Sequence, residues 1–400
     1  MPSYSGVWTL AQQLQAIGGQ NWPMGPGAPT SVSATAGDTQ ATVTFVAPTF
    51  TGVPPGITGY LATSTPGSLT ASGASSPLTV TGLTNGTSYT IAVQATNGVQ
   101  FGPAGTSGSV SPSAPTAFWS GGNASSGFTN VISYQSISTL GNATDFGDLI
   151  EEKQYVYACS SSTRGIWAGG NTPDINTISF ITLASTGNAA SFGQLSALAY
   201  NGAGLSNSTR GVFAGGTNFL TVIEYITIAS AGNSSSFGSC TSVQGNRAGF
   251  ASSTRGVWAG GSGPVNIIEY ITINSLGNSA DFGDLTVNMV QAAGASNSTR
   301  GLIGGSYSAG VYNVISYVTI ASTGNAISFG DLSTVGYGNS AASSSTRALF
   351  GGGLNANAGF ARNNAVEYVT ISTTGDAADF GDLTIATYNL SACSNAHGGL

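Results

Sequence analysis

Short runs of alternating apolar and polar residues fill most of this chain. Thr42-Val-Thr-Phe-Val46 and Tyr89-Thr-Ile-Ala-Val93 alternate with period two, the spacing of a strand with one buried face. One early stretch departs from that period. Leu10, Leu14 and Ile17 stand at i, i+4 and i+7, which predicts a short amphipathic helix over Leu10–Ile17. Thr9 can cap its start, Gln12 three residues on can close a capping box, and Gly18-Gly19 ends it. Trp8 and Trp22 flank the helix. A helix this short is marginal alone. Residues 1–25 therefore read as a docking segment, with Trp8, Leu10, Leu14 and Trp22 as its contact residues.

Beyond residue 115 the pattern repeats. Ser-Thr-Arg recurs with arginines at 164, 210, 255, 300 and 347. Each is followed by a hydrophobic strand and a Gly-Gly pair, as in Trp167-Ala-Gly-Gly170 and Trp258-Ala-Gly-Gly261. A second strand follows, such as Val222-Ile-Glu-Tyr-Ile-Thr-Ile228. A Gly-Asn or Gly-Asp turn and a Phe-Gly-Asp-Leu variant come next, then an Ala/Ser-rich strand. The Gly-Asn-type turn occurs six times, at Gly141, Gly187, Gly232, Gly277, Gly324 and Gly375. A period of about 45–50 residues with four short strands predicts a propeller blade, whose apolar faces are covered only by its neighbours. Six blades are expected over 115–400. The strand at 117–122 should complete the blade that the C-terminus leaves open, removing exposed edges. The Gly-Gly pairs are expected where strands crowd near the axis. His397 is read at the sixth arginine position.

Composition narrows the function classes. Charged residues are 6% of the chain and the net charge is −7. Lys153 is the one lysine, and five of the seven arginines sit one per repeat. That argues against nucleic-acid binding, which needs clustered cations to displace counterions. Glycine, at 59 of 400, and a Ser/Thr/Asn surface imply a folded protein kept soluble by hydroxyls and amides. Cys159, Cys240 and Cys393 are odd in number and far apart, so buried reduced thiols are expected. His397 is the single histidine, which leaves no imidazole-based zinc or copper site. The start MPSYSGVWTL has neither a basic segment nor a long apolar run. The expectation is no signal peptide, no membrane insertion and no cofactor.

Two families are resembled. Residues 26–114 open on Pro26-Gly-Ala-Pro29 and contain Leu83-Thr-Asn-Gly-Thr-Ser-Tyr89. This resembles the E–F corner of fibronectin type III domains, which implies a β-sandwich whose tyrosine hydroxyl ties back to upstream backbone. The expected core tryptophan is missing from the second strand, so Phe45 or Tyr60 must fill its space. The 115–400 repeat resembles the kelch repeat, with Gly-Gly after a strand and Glu-Tyr or Ser-Tyr in the next. Phe146, Phe192, Phe237, Phe282, Phe329 and Phe380 stand where kelch repeats carry tryptophan. The full pattern also resembles repeats in structural and tail-fibre-like proteins of marine phages. The expected fold is thus all-β: a six-bladed kelch-like propeller after a fibronectin type III sandwich and a short helical segment.

The candidate chemistry is sparse. Arg164, Arg210, Arg255, Arg300 and Arg347 could form a ring for anionic glycans. Their expected role is structural, bonding carbonyls or the carboxylates of Asp148, Asp284, Asp331 and Asp382 between blades. Gln194 and Ser239 interrupt that aspartate series. Glu224, Glu269 and Glu367 recur at one strand position, which argues for blade structure over catalysis. The two longest irregular loops, Ser306–Tyr312 and Leu354–Asn364, hold Tyr307, Tyr312, Asn355, Phe360 and Arg362. Aromatic, amide and cationic groups on one rim suit sugar faces and hydroxyls. The expectation is a non-enzymatic phage virion protein, a tail fibre or host-recognition adhesin binding cell-surface polysaccharide. It would meet other virion proteins through its N-terminal segment, and a homo-oligomer, by analogy with fibres a trimer, is expected. A purely structural virion part is the alternative.

Overall fold

The computed structural model describes residues 9–18, 24–53, 56–216, 221–242, 244–263, 265–307 and 310–400. Among the described residues it is all-β apart from one α-helix and a short 3₁₀ turn. The chain divides into two compact units, Met1–Ala114 and Pro115–Leu400.

In the first unit, α1 spans Leu10–Gly18. The Thr9 N–H donates to Gln12 Oε1 at 2.9 Å and the Gln12 N–H to Thr9 Oγ1 at 3.4 Å, a capping box that satisfies two donors the helix leaves open. Leu10 and Leu14 are 71% and 60% exposed. Trp8 and Trp22 lie outside the described residues.

Seven strands follow: β1 (Thr30–Gly37), β2 (Gln40–Val46), β3 (Gly59–Thr65), β4 (Thr70–Gly73), β5 (Leu78–Thr81), β6 (Thr90–Thr96) and β7 (Phe101–Thr106). They make two sheets, ordered β1-β2-β5 and β4-β3-β6-β7. Alternate residues point inward, as in Ala41, Val43 and Phe45 against Tyr60, Ile91 and Val93. Phe45 and Tyr60 pack together in this core, with ring centroids 4.7 Å apart. The Thr84 N–H donates to the Tyr89 hydroxyl at 3.0 Å, pinning the loop before β6.

The second unit holds six four-stranded antiparallel sheets. Sheet 2 runs, from its first strand outward, through Tyr157–Ser160, Arg164–Ala168, Thr177–Thr182 and Ala190–Gln194. Sheet 3 starts at Ala203–Ser206 and ends at Ser235–Ser239; sheet 4 starts at Ala248–Ala251 and ends at Ala280–Asp284. Sheet 5 runs from Ala293–Ser296 to Ile327–Asp331 and sheet 6 from Ser340–Ser343 to Ala378–Asp382. Sheet 1 is composite. Its first strand is the C-terminal Ser391–Ser394, paired to Thr116–Ser120, then Val131–Ser136 and Thr144–Asp148.

Hydrophobic clusters lie between sheets. One joins Leu205, Val212 and Phe237 of sheet 3 to Trp258, Ile271 and Ile273 on the sheet 4 side. First strands neighbour one another in the order of sheets 2, 3, 4, 5, 6, 1 and again 2. Their serines carry this succession. Ser206 Oγ donates to Ser160 O at 2.7 Å, Ser160 Oγ to Ser394 O at 2.7 Å and Ser394 Oγ to Ser343 O. Ser343 Oγ donates to Ser296 O and Ser296 Oγ to Ala251 O, both at 2.8 Å. Ala251 lacks the sixth hydroxyl, and beside that gap the C-terminal tail folds in.

The Gly-Gly pairs correct an expectation. Except in sheet 5, where Gly304 and Gly305 lie within the strand Arg300–Tyr307, they sit where second strands end, against the loop that follows. Gly169 and Gly170 have φ of +64° and +126°, and a Cβ on Gly169 would fall 2.1 Å from Ala199 O of the following loop. The crowding falls instead on the first strands, where a Cβ on Gly204 would meet Ala158 O at 2.3 Å and one on Gly249 would meet Gly204 O at 2.8 Å. The Gly-Asn turns have another task. The Gly187 N–H donates to Phe146 O, the Ala189 N–H to Asp148 O, and Asn188 Oδ1 accepts from the Asp148 N–H. The same linkage joins sheet 6 to sheet 1, where the Gly141 N–H donates to Phe380 O and Asn142 Oδ1 accepts from the Asp382 N–H. Only backbone groups of the aspartate slot are used, which explains why Gln194 and Ser239 serve there too.

Candidate functional site at one end of the sheet array

The five repeated arginines are staples. Each guanidinium carbon lies 4.3–4.9 Å from the centroid of an aromatic ring in its own sheet: Phe180, Tyr225, Tyr270, Tyr317 and Tyr368 for Arg164, Arg210, Arg255, Arg300 and Arg347. Each Nη1 donates to a carbonyl of the next sheet, namely Ile228, Ile273, Ile320, Ile371 and, back in sheet 1, Ile137. The aspartate carboxylates are not their partners. The planar fork suits this double duty, stacking by its face and donating from its edge.

Thr116 begins the second strand of sheet 1, where the other sheets have arginine; Asn395 Oδ1 accepts from its N–H at 2.8 Å. His397 therefore does not take the sixth arginine position. It turns to the first strands instead. Its Nδ1 accepts from the Gly399 N–H at 3.0 Å, and its Nε2 lies 3.2 Å from Ser206 Oγ and 3.4 Å from Ser160 O. That arrangement suits a neutral ring protonated on Nε2. Burial holds its pKa down at about 4. His397 and the six first strands line a cavity of about 50 Å³.

The opposite end of the first strands is open and polar. The residue two before each first strand of sheets 2–6 and 1 is Tyr155, Asn201, Asn246, Gln291, Gly338 and Asn389, and all six have φ between +53° and +69°. Their backbones bond in sequence. The Asn201 N–H donates to Tyr155 O at 3.2 Å, Gln291 to Asn246 O at 3.0 Å, Asn389 to Gly338 O at 2.8 Å and Tyr155 to Asn389 O at 3.0 Å. Side chains meet over the middle: Gln291 Nε2 donates to the Tyr155 hydroxyl at 3.3 Å, and Asn389 Nδ2 to Gln154 Oε1 at 3.3 Å. A cavity of about 80 Å³ opens here, lined also by Arg247 and Asn339. Burial raises the Tyr155 pKa, which keeps the phenol protonated.

An aromatic run borders this mouth. Tyr307 and Tyr337 have centroids 4.9 Å apart, and Tyr337 and Phe360 6.1 Å. Tyr307 and Phe360 are 48% and 47% exposed. Arg362 lies 5.5 Å from the Tyr388 ring and donates to Asn123 O and Oδ1 at 3.0 and 2.8 Å. Asn355 is committed locally, its Oδ1 accepting from the Asn357 N–H at the start of a 3₁₀ turn. Tyr312 is partly buried beside Gly310.

Within their described residues both nominated loops carry strand pairing. Ser306 pairs with Tyr312 and Tyr307 with Val311, extending sheet 5. Leu354–Asn355 pairs with both Gly336–Tyr337 and Ala361–Arg362. Sequence reasoning nominated Tyr307, Phe360 and Arg362, which lie by this opening, and did not nominate Tyr155, Tyr337, Tyr388 or the amide series. The available signal was Asn201, Asn246 and Asn389 recurring at one repeat position, residues that tolerate left-handed backbone.

The recurring glutamates are anchors. Glu224 accepts from the Ser196 N–H, Glu367 from the N–H groups of Ser333 and Thr334, and Glu269 from the hydroxyls of Thr241 and Ser242. Glu269 also pairs with buried Arg247 at 2.6 Å.

Comparison with known proteins gives one family match, in the first unit. Residues 27–111 match the model for the fibronectin type III domain. With its three- and four-stranded sheets and the Tyr89 tie, the match settles that unit. Residues 27–111 are a fibronectin type III domain. The second strand of this fibronectin type III domain has no tryptophan, and Phe45 and Tyr60 are both buried in its core. No curated protein matches the sequence. Among solved structures, the chain is similar to a fungal alcohol oxidase of the AA5 family in complex with copper, at 9% identity and a TM-score of 0.46. That similarity covers 68% of this chain and 63% of the oxidase chain.

Proposed function

We propose that residues 115–400 form a six-bladed, kelch-like β-propeller, and that the protein is a phage virion component recognising host-surface glycan. Support for the propeller comes from hydrogen bonds that pass from each sheet to the next and from the sixth to the first. Support for the virion assignment is the repeat's resemblance to marine phage structural and tail-fibre-like proteins. The exposed Leu10 and Leu14 of α1 suit docking onto another virion protein. The observation that carries recognition is the Tyr307–Tyr337–Phe360 run, with exposed Tyr307 and Phe360 flanking a partly buried Tyr337. Offset aromatic rings beside amides present an apolar face and polar edges together, the pairing a sugar ring requires. We assign no catalytic role, because Glu224, Glu269 and Glu367 are spent on neighbouring backbone and hydroxyl groups.

The test is glycan-array binding by the full chain, with immuno-electron microscopy to place it on the particle. Tyr307→Ala and Phe360→Ala should each weaken glycan binding about tenfold, equivalent to roughly 1.4 kcal/mol. Absence of any glycan binding by a correctly folded chain would leave the purely structural reading. One observation favours that alternative: both Arg362 and Asn355 are already engaged within the protein.

A further inference from the structure

We propose that the polar mouth is a subsite that receives the end of a neutral, hydroxyl-rich sugar chain, an inference that rests on the glycan-binding function above. The aromatic run would support the chain's flank, and the mouth would read its terminal residue.

Three observations converge here. The first is unspent hydrogen-bonding capacity. Asn201 and Asn339 both line the cavity, and their Oδ1 atoms, shielded from solvent, accept no hydrogen bond from any described residue. A buried acceptor without a donor costs about 1–3 kcal/mol. A ligand that brings O–H donors recovers that cost, and a ligand that brings only acceptors does not.

The second is strain. Five of the six mouth residues with left-handed backbone are not glycine. Sheet 6 shows that glycine, at Gly338, serves the same backbone bond. Tyr155, Asn201, Asn246, Gln291 and Asn389 thus hold a conformation that glycine would adopt without penalty. Strain of this kind gathers at ligand clamps. Their side chains supply the amides and the phenol that face the opening.

The third is charge. Among the described residues Arg247 is the one cation lining the cavity, and its guanidinium is matched by Glu269 at 2.6 Å. The remaining polar groups of the lining are amides, hydroxyls and a protonated phenol. An anionic sugar would give up its hydration for no unmatched positive charge, whereas a neutral hexose or N-acetylhexosamine exchanges one set of hydrogen bonds for another. The Gln291–Tyr155 bond at 3.3 Å closes the mouth from opposite sheets. A sugar hydroxyl can take both ends of it, accepting from Gln291 and bridging to the phenol.

The experiment uses the full chain on an array of neutral hexose and N-acetylhexosamine oligosaccharides beside uronic- and sialic-acid oligosaccharides, followed by calorimetric titration of the strongest binder. The comparison is wild type, the double variant Asn201→Gly/Gln291→Gly, and Phe360→Ala. Glycine keeps the left-handed backbone while deleting the amides, and Asn201→Gly alone serves should the double variant not fold. The expected result is preference for neutral glycans, at least a tenfold loss in the glycine variants with an unchanged melting midpoint, and competition by the free terminal monosaccharide. Loss of binding in Phe360→Ala with wild-type affinity in the glycine variants overturns the subsite and leaves the recognition function standing. Preference for acidic glycans also overturns the subsite as described. No binding to any glycan overturns both.

Discussion

His397 shows how one side chain is decided by what surrounds it. Its Nδ1 accepts from the Gly399 N–H, so protonation there would set two donors face to face. Burial adds to the cost of charging it, and the pKa falls from 6.5 to about 4. The unfolded chain binds a proton below about pH 6.5 and the folded chain only near pH 4. Between those values the unfolded state holds more protons, so folding stability declines as pH drops. Urea unfolding at pH 7, 6, 5 and 4 should show this decline in the wild type and a shallower one in His397→Gln. Equal slopes would remove His397 from the account. Burial acts in the same direction on Lys153. It is fully buried, with Glu151 at 3.7 Å, and burial lowers its pKa to about 8. Neither residue advertises its burial in sequence, because burial arises from strands far apart in the chain.

At the scale of elements, the joint between each outermost strand and the next Gly-Asn turn is the most repetitive contact. It was legible as a motif but not as a contact. Gly381 and Gly141 share nearly the same backbone, with φ of +150° and +153°. A Cβ on Gly381 would stand 2.5 Å from Gly141 O, whereas one on Gly141 meets nothing within 4 Å. Gly141→Ala should therefore cost backbone strain alone, about 1 kcal/mol. Gly381→Ala should cost that plus a collision, about 3 kcal/mol in all. Chemical denaturation of the two variants decides the matter, and equal costs would contradict the packed joint. The α1 capping box, the Tyr89 tie and the alternation in β2 and β6 were all readable, since each depends on residues a few positions apart. The placement of the Gly-Gly pairs was not, because their neighbours belong to the following sheet.

For the whole molecule, the composite sheet 1 is the critical join. Deleting Ser391–Leu400 removes its first strand, the serine link from Ser160 to Ser343 and the His397 plug together. Thr116–Ser120 would then present a bare edge to solvent and to other copies. Scanning calorimetry should show loss of the transition of the larger unit while that of the fibronectin type III domain persists. A truncated chain that melts like the wild type would mean that sheet 1 is dispensable to the array.

What the sequence determined alone is periodic or local: the all-β class, the fibronectin type III unit, six repeats of four strands, and the pairing of the 117–122 region with the C-terminal strand. The first three follow from local spacing, where each residue's neighbours are set by strand geometry, and the terminal pairing follows from counting repeats, whose first and last members are each incomplete. Tertiary structure alone decided which repeated residues meet across sheets. It turned the arginines to carbonyls rather than aspartates, sent His397 inward beside the gap at Ala251, and gathered Tyr155, Asn201, Asn246, Gln291 and Asn389 at one opening. The physical reason is that a repeat specifies its own fold, while contacts between repeats depend on positions about 40 to more than 200 residues apart, whose approach no local pattern encodes.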